Sequence, residues 1–542
     1  MHAFNRLGTF ALSHPRWSAL LLGALAACGF QPLRLWPLTI LCIAALIELV
    51  ARAPGWRQAA LIGWLFGWSH FTVGDNWIAT AFTYQANMPA WLGGIAVMLL
   101  SLYLAVYPAL AVLAAWLLAR WCRARAGAIL PGVGLLLIPC WIVSEWLRAW
   151  VFTGFPWNPL GVALLGGFET PGLAMLTPWI GTYGLSGLLV ALAALLLASV
   201  RALGRLEPDL RTGGIALLGA GALALGAAIE VPASWLPEPG GSLPFTLVQP
   251  DIRQEVLADP RFFEDSFSRI AWLSIPRRLG QQRLVLWPES GLPDYLRDGY
   301  PPAYYDGTTY GGDPRLARAR IARVLGPGSL LLTGSVDLVV QRGDVVAARN
   351  TVTALGDDGA IRGDYAKAHL VPFGEYLALR WLLEPLGATR FVPGSIDFAP
   401  GPGPRTVDFG PWGKAGMQIC YEIVFSGEVV DRAHRPDYIF NPSNDGWFGS
   451  WGPPQHLAQA RLRAIEEGLP VLRSTTTGIS AVIDADGVVR SHVDRLSPGR
   501  IDGRVPPARP PTPFARHGNA IPLAISALLM LISLVAMRSR RH

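Results

Sequence analysis

Three residues in the polar part of the chain carry side chains suited to covalent acyl transfer. Glu289 ends the string RLVLWPE, Lys367 sits in DYAKAHLVPFGE, and Cys420 ends AGMQIC just ahead of Tyr421 and Glu422. A thiol becomes a strong nucleophile once a base removes its proton, and a carboxylate can be that base. An ammonium can stabilise the oxyanion that forms when the thiolate attacks a carbonyl. Each residue also has an ordinary role open to it. Glu289 could cap a helix, Lys367 could lie on the surface, and Cys420 could be a packed, inert thiol. The chemical role gains weight because all three lie beside apolar, strand-like strings of one region.

Cysteine usage narrows the chemistry. Of five cysteines, Cys28, Cys42, Cys122 and Cys140 lie within or at the end of apolar runs, and Cys420 stands alone in the polar region. No partner is left there for a disulfide. No CxxC and no Cys/His cluster with ligand spacing occurs, so no zinc or iron–sulfur centre and no cofactor is expected. His369 and His456 have no ligand-spaced partners and read as structural or pocket-lining.

The elements that must position these residues follow from apolar runs. Phe245–Gln249, Arg283–Glu289, Ser329–Val336, Ala415–Cys420 and Asp437–Ser443 read as buried strands, and Arg261–Leu279 and Pro454–Glu467 as helices. Short apolar strands separated by helices predict a layered α/β domain over 232–504. In such sheets, residues just past the strand carboxyl ends line the ligand crevice, where Glu289 and Cys420 fall. The Pro-rich stretch Val505–Pro513, within 505–518, reads as a linker.

The rest of the chain is apolar. Its 542 residues are 51% hydrophobic and 15% charged, with a mean hydropathy of +0.35. This composition predicts a polytopic α-helical membrane domain. A helix needs ~20 apolar residues to cross a bilayer. Spans are predicted near Trp17–Gly29, Trp36–Val50, Ala59–Val73, Trp91–Leu118, Gly132–Trp150, Tyr183–Val200 and Gly213–Ile229, all within 1–231, with an eighth near Asn519–Met537, within 519–542. The first is not read as a cleaved signal peptide, because further spans follow at once. Arginine marks every second side of this series: Arg6 and Arg16, Arg52 and Arg57, Arg120 to Arg125, Arg201 to Arg211, and Arg538 to Arg541. Arg34 is the one exception. The positive-inside rule then puts both termini in the cytoplasm and Pro232–His517 in the periplasm of a Gram-negative cell. The net charge of +7 is thereby explained by orientation in a membrane, and no nucleic-acid partner is expected. Glu145 and Arg148, spaced i, i+3 in an apolar stretch, can pair on one helix face. The aromatic segment Trp77–Trp91 reads as an ordinary loop or an interfacial arm.

The strings LVLWPES, YAKAHLVPFGEY, MQICYE and NPSNDGWFG, with QHLAQARLRAIEEGLPVLRSTTTG, resemble the nitrilase superfamily. With SEWLRAWVFTGFPWNPLG and GFQPLRLWPL upstream, nearly the whole chain resembles the membrane-bound branch of that superfamily, the apolipoprotein N-acyltransferases. The resemblance implies an αββα sandwich with Glu289 as general base, Cys420 as nucleophile and Lys367 as oxyanion partner. It implies that Glu375 holds the charges of the site in place, that Tyr421 and Glu422 shape the pocket, and that Trp447 and Phe448 lie near a lipid entrance. It further implies a phospholipid acyl donor, a diacylated apolipoprotein acceptor, a cysteine thioester between them, a location in the bacterial inner membrane, and a monomer. Two positions depart from the family pattern: Ala258 precedes Asp259 where a Trp is frequent, and Thr476 stands where Asn is frequent. Two rival readings stay open on the residues alone. One is a membrane-anchored amidase using the same triad with water as acceptor, for which eight spans are more than an anchor needs. The other is a transporter, against which stands the lack of repeated intramembrane charges.

Overall fold

The computed structural model describes residues 13–84, 89–123, 130–232, 240–383, 385 and 396–539. Arg6, Arg125, Arg540, Arg541 and part of the Trp77–Trp91 segment lie outside these. The chain forms two compact units. The first takes Met1–Ala79, Ala90–Ser234 and His517–His542, and the second takes Thr80–Pro89 and Trp235–Arg516.

The first unit is helical. Its helices cover Pro15–Ala27, Trp36–Ala51, Trp56–Gly74, Trp91–Leu104, Val106–Arg123, Leu130–Trp150, Thr177–Leu203, Pro208–Glu230 and Ala520–Ser539. Leu- and Ala-rich runs close most of their backbone bonds within one segment, as hydrocarbon requires; Pro139 and Gly181 interrupt two of the helices, and the Pro139 carbonyl accepts from Ser526 Oγ of another. The expected spans all fall on these helices, and the expected Trp91–Leu118 divides in two at Ala105. By length and composition, five stretches among the described residues can cross a membrane: Trp91–Cys122, Gly132–Trp150, Leu173–Leu203, Leu210–Glu230 and Ala520–Met537. Trp36–Ala51 is apolar but only 16 residues long, about 24 Å at 1.5 Å per residue, against a core of about 30 Å.

Glu145 and Arg148 do not pair with each other as expected. Glu145 Oε1 accepts from Trp141 Nε1 and from the Leu160 N–H, each at 2.8 Å. Arg148 donates to the carbonyls of Phe155 at 2.7 Å and Trp157 at 2.8 Å, and lies over the Phe71 ring. Both are buried and serve the chain that follows their own helix, satisfying backbone groups of an irregular segment that has no ladder partners.

Among the described residues the second unit holds twelve strands: β1 Pro244–Gln249, β2 Leu284–Leu286, β3 Leu330–Gln341, β4 Asp344–Gly356, β5 Ile361–Ala366, β6 Thr406–Asp408, β7 Lys414–Met417, β8 Tyr438–Ser443, β9 Val471–Thr475, β10 Ser480–Ile483, β11 Val489–Val493 and β12 Gly499–Arg504. They form two six-stranded sheets, ordered β12-β1-β2-β3-β4-β5 and β11-β10-β9-β8-β7-β6. Each sheet has a parallel centre, β1-β2-β3 in one and β7-β8-β9 in the other, with antiparallel strands outside it. The β3–β4 hairpin turns on Arg342 and Gly343, both at positive φ, the pairing a two-residue hairpin loop requires.

The sheets meet through β1 and β9. Ser474 Oγ donates to the Val248 carbonyl at 2.7 Å, and Gln249 Oε1 accepts from Thr475 Oγ1 and from the Ser480 N–H, each at 2.9 Å. On the other face of the first sheet, helices Phe263–Ser274 and Pro314–Leu325 pack Phe267, Ile270, Ile321 and Leu325 against Val248, Val285 and Leu331. Helix Gly452–Glu467 packs on the second sheet. The order helix, sheet, sheet, helix is the expected αββα sandwich. Val505–Pro513, expected as a linker, is tied down instead: the Arg509 N–H donates to the Gly468 carbonyl, and Thr512 Oγ1 donates to the Glu466 carbonyl.

Ile270 is fully buried in the layer that backs β1 and β2. Ile270→Ala should cost about 2–5 kcal/mol, read as a lower thermal unfolding midpoint of the detergent-solubilised chain, while Leu279→Ala, at a fully exposed position, should leave it unchanged.

Candidate active site

Glu289 lies three residues past β2, where Ser290 takes a positive φ and turns the chain. Gly334 of β3 passes directly behind it. A Cβ at Gly334 would come within 2.7 Å of the Glu289 Cα and 2.8 Å of the Pro288 carbonyl, so the strand can approach this turn only without a side chain. Both carboxylate oxygens are held: Oε1 accepts from Asn350 Nδ2 and Oε2 from the Asn444 N–H, each at 2.7 Å.

Lys367 follows β5 and is 2% exposed. Its N–H donates to the Asn350 carbonyl on β4, and its own carbonyl accepts from the Gly401 N–H, which fixes the backbone on both sides. Nζ lies 3.0 Å from Glu375 Oε1 and 3.8 Å from Glu289 Oε1. Asn350 Nδ2 also donates to Glu375 Oε1 at 2.9 Å, so one amide bridges two carboxylates. Glu375 Oε2 accepts from the Val371 N–H at 2.8 Å. Burial works against the Lys367 ammonium, but Glu375 and Glu289 more than offset it and hold the group above its ordinary pKa.

Cys420, three residues past the parallel strand β7, starts a short 3₁₀ turn, Cys420–Val424, and has φ +52°. That conformation costs a non-glycine residue about 1–3 kcal/mol and is kept only where the surroundings enforce it. Cys420 is 5% exposed and lies within electrostatic reach of both Glu289 and Lys367. Burial pushes its pKa well above the ordinary value, and Glu289 adds to this; Lys367 and the Asn444 N–H oppose. Burial thus favours the protonated thiol at rest, and the lysine alone favours thiolate.

Four of the expected residues, Glu289, Lys367, Glu375 and Cys420, thus meet in one buried crevice. Glu422 supports the same place from behind. Its Oε1 accepts from Tyr365 Oη at 2.8 Å and from the N–H groups of Ala368 at 2.7 Å and His369 at 3.2 Å, and its Oε2 from the Ile419 N–H at 2.8 Å. It ties the segment after Lys367 to the segment before Cys420. Burial keeps its carboxyl above the usual range, with those donors opposing. Tyr421 packs edge-on against Phe425, whose ring stacks on His369. Trp447 and Phe448 lie on the separate turn Asp445–Phe448. Trp447 is half-buried and meets Tyr84 edge-on, so part of the aromatic Trp77–Trp91 segment belongs to this unit. Phe448 is buried against the His456 ring.

Asn350, Asn444 and Gly334 were missed at the level of sequence. Asn444 could have been found, because it follows a readable strand at its carboxyl end, where ligand-facing groups collect. Asn350 lies within β4, whose alternating pattern was not read as a strand. Of the two departures, Thr476 is fully buried and its Oγ1 donates to Asn444 Oδ1 at 2.8 Å, which braces the residue whose N–H serves Glu289. Ala258 ends the short helix Gln254–Leu257, and Asp259 caps the next turn through the Arg261 N–H. No group of three or more metal-ligating side chains is found among the described residues.

A buried thiol, a carboxylate with both oxygens fixed and a captive ammonium can carry a nucleophile, its base and an oxyanion donor without a cofactor. Gly334→Ala should displace the Glu289 turn and lower turnover about 10²-fold with the fold retained, measured as turnover per mole of protein with matched circular dichroism.

Two family models match the chain: the apolipoprotein N-acyltransferase N-terminal domain over residues 22–195, and carbon-nitrogen hydrolase over residues 263–509. An apolipoprotein N-acyltransferase of Bradyrhizobium diazoefficiens is 35% identical over 100% of both chains. One of Rhodopseudomonas palustris is 33% identical over 96% of this chain and 95% of its own. Among solved structures, an amidase from Nesterenkonia sp. aligns with 50% of this chain and 93% of its own at 17% identity, with a TM-score of 0.32. The sandwich and its Glu-Lys-Cys crevice are thus joined in sequence to apolar helices that match the same family along the full length, and the chain belongs to the apolipoprotein N-acyltransferases.

Proposed function

We propose that the chain moves an acyl group from a phospholipid to the α-amine of a diacylglyceryl-cysteine apolipoprotein, through a thioester on Cys420. The observation that carries this is the buried set of Glu289, Lys367 and Cys420 in a hydrolase-type unit joined to apolar helices. Glu289 takes the thiol proton as the sulfur attacks the ester carbonyl. Lys367 faces the oxyanion. Collapse expels the lysophospholipid alkoxide, which takes the proton back from Glu289. The thioester is then attacked by the amine, Glu289 accepts the amine proton, and the thiol leaves with a proton restored.

The resting charges fit this order. A protonated thiol in a dry site does not react until a carbonyl lies against it. Both substrates carry acyl chains, and each CH₂ lifted out of an apolar environment costs ~0.8 kcal/mol. An enzyme held in the same membrane avoids that cost. The alternating arginine pattern supports a location in the inner membrane with the catalytic unit in the periplasm and both termini in the cytoplasm. Trp447 and Phe448 are assigned to the lipid entrance, Tyr421 to the pocket wall, and Glu375 and Glu422 to support. Every side chain the chemistry uses comes from one chain, so a monomer suffices. A small-molecule amidase would have no use for an N-terminal helical unit matched to the acyltransferase family.

Purified protein incubated with phospholipid and a diacylated lipopeptide should add the mass of one acyl chain to the peptide. Without the lipopeptide, the acyl group should be found on Cys420 by mass spectrometry. Cys420→Ala should lose both signals, and Lys367→Met should slow transfer by about 10²–10³-fold, the usual cost of losing an oxyanion donor. Full transfer by Cys420→Ala would end the covalent mechanism.

A further inference from the structure

His456 lies in a wholly buried network beneath the nucleophile, and its place there was not legible in the sequence. Its Nε2 is 3.0 Å from the Cys420 carbonyl oxygen. A carbonyl only accepts, so Nε2 bears the proton of this bond. Nδ1 faces Asp445 Oδ1 at 3.0 Å and the Arg473 guanidinium at 3.1 Å. Arg473 donates to both Asp445 oxygens, at 2.8 and 2.7 Å, and to Asn441 Oδ1 and Ser443 Oγ on β8. The His456, Asp445 and Arg473 side chains are all fully buried.

Two consequences converge on Cys420. First, its backbone is held at φ +52°, a conformation that needs enforcement, and the carbonyl His456 grips belongs to that same residue. Seven residues further along the same helix, so on the same face, Arg463 donates to the Val424 carbonyl at 2.9 Å. One helix thus grips the first and last carbonyls of the Cys420–Val424 turn. Second, Asp445 is the neighbour of Asn444, whose N–H donates to Glu289 Oε2 at 2.7 Å. The network therefore joins the nucleophile's turn to the donor opposite it.

We propose that His456 is a positioning residue for the nucleophile: its Nε2–H bond to the Cys420 carbonyl, backed by Asp445 and Arg473, holds the left-handed turn that presents the thiol to Glu289 and Lys367. This rests on Cys420 being the nucleophile. His456 touches neither proton nor substrate in the reaction; it acts only through the backbone of Cys420.

Single-turnover acylation of the full-length enzyme in mixed micelles with radiolabelled phosphatidylethanolamine tests it. The burst amplitude counts competent enzyme, and the burst rate reports geometry. His456→Ala should slow the burst rate per competent enzyme about 10²-fold, the cost of a reacting group displaced by about an ångström, with the phospholipid KM unchanged. His456→Gln places an amide N–H where Nε2 lay and should recover most of that rate. His456→Asn places its amide near Nδ1, short of the Cys420 carbonyl, and should stay slow; it decides the matter if the alanine variant does not fold. A wild-type burst rate in His456→Ala or His456→Asn, or a glutamine variant as slow as asparagine, overturns the proposal. Absence of any adduct on wild-type Cys420 would instead remove the nucleophile reading on which it stands.

Discussion

Two carboxylates, Glu289 and Glu375, share one ammonium, Lys367, in a place closed to water, and the architecture around them answers that demand. Charge buried in this way is costly unless every oxygen has a donor. Lys367 serves both groups, Asn350 bridges them, and the N–H groups of Asn444 and Val371 complete the set. The donors come from strands of both sheets or from the loops that follow them, so the sandwich must close before the charges are satisfied. The arrangement also constrains the chemistry. Moving a proton from Cys420 to Glu289 leaves the net charge of the crevice unchanged, whereas losing it to water would add another buried anion. The base has to belong to the cluster.

The second constraint is on the backbone. Glu289 and Cys420 each lie at the carboxyl end of a parallel strand, and the chain turns through a positive φ at Ser290 and at Cys420 itself. Short strands followed by sharp turns carry side chains into the crevice between the sheets. They also leave carbonyls and N–H groups without ladder partners. Glu422, His456 and Arg463 supply those partners, which is why the ground beneath the site is unusually rich in buried polar side chains. The same logic operates in the helical unit, where Glu145 and Arg148 satisfy the backbone of the segment between Val151 and Leu160.

For a reaction between two lipids, this division of labour has a physical rationale. The helical unit supplies residence in the bilayer, and the sandwich supplies the covalent step. Burial that raises the thiol pKa protects the resting enzyme, and exclusion of water protects the thioester it forms.

The sequence by itself determined the two-part organisation, because long apolar runs and short apolar strands differ in length and need no partner to be read. It also offered Glu289 and Cys420 as candidates, since strings flanking a parallel core are continuous in apolarity and β1, β2, β3, β7 and β8 were all legible; Lys367 joined them through the resemblance of the string around it. Of the strands left unread, β4, β5 and β10 to β12 lie outside the parallel centres and pair antiparallel, and β9, though parallel to β8, carries the buried polar run Arg473, Ser474 and Thr475, so none reads as a continuous apolar string. Asn350 was hidden for that reason. Only the tertiary structure decided that Glu145 and Arg148 serve a loop and not each other, that Thr80–Pro89 joins the catalytic unit, and that His456 lies under Cys420. Each of these depends on which backbone groups are left without partners once the sheets and helices have packed, and no local pattern in the chain records that remainder.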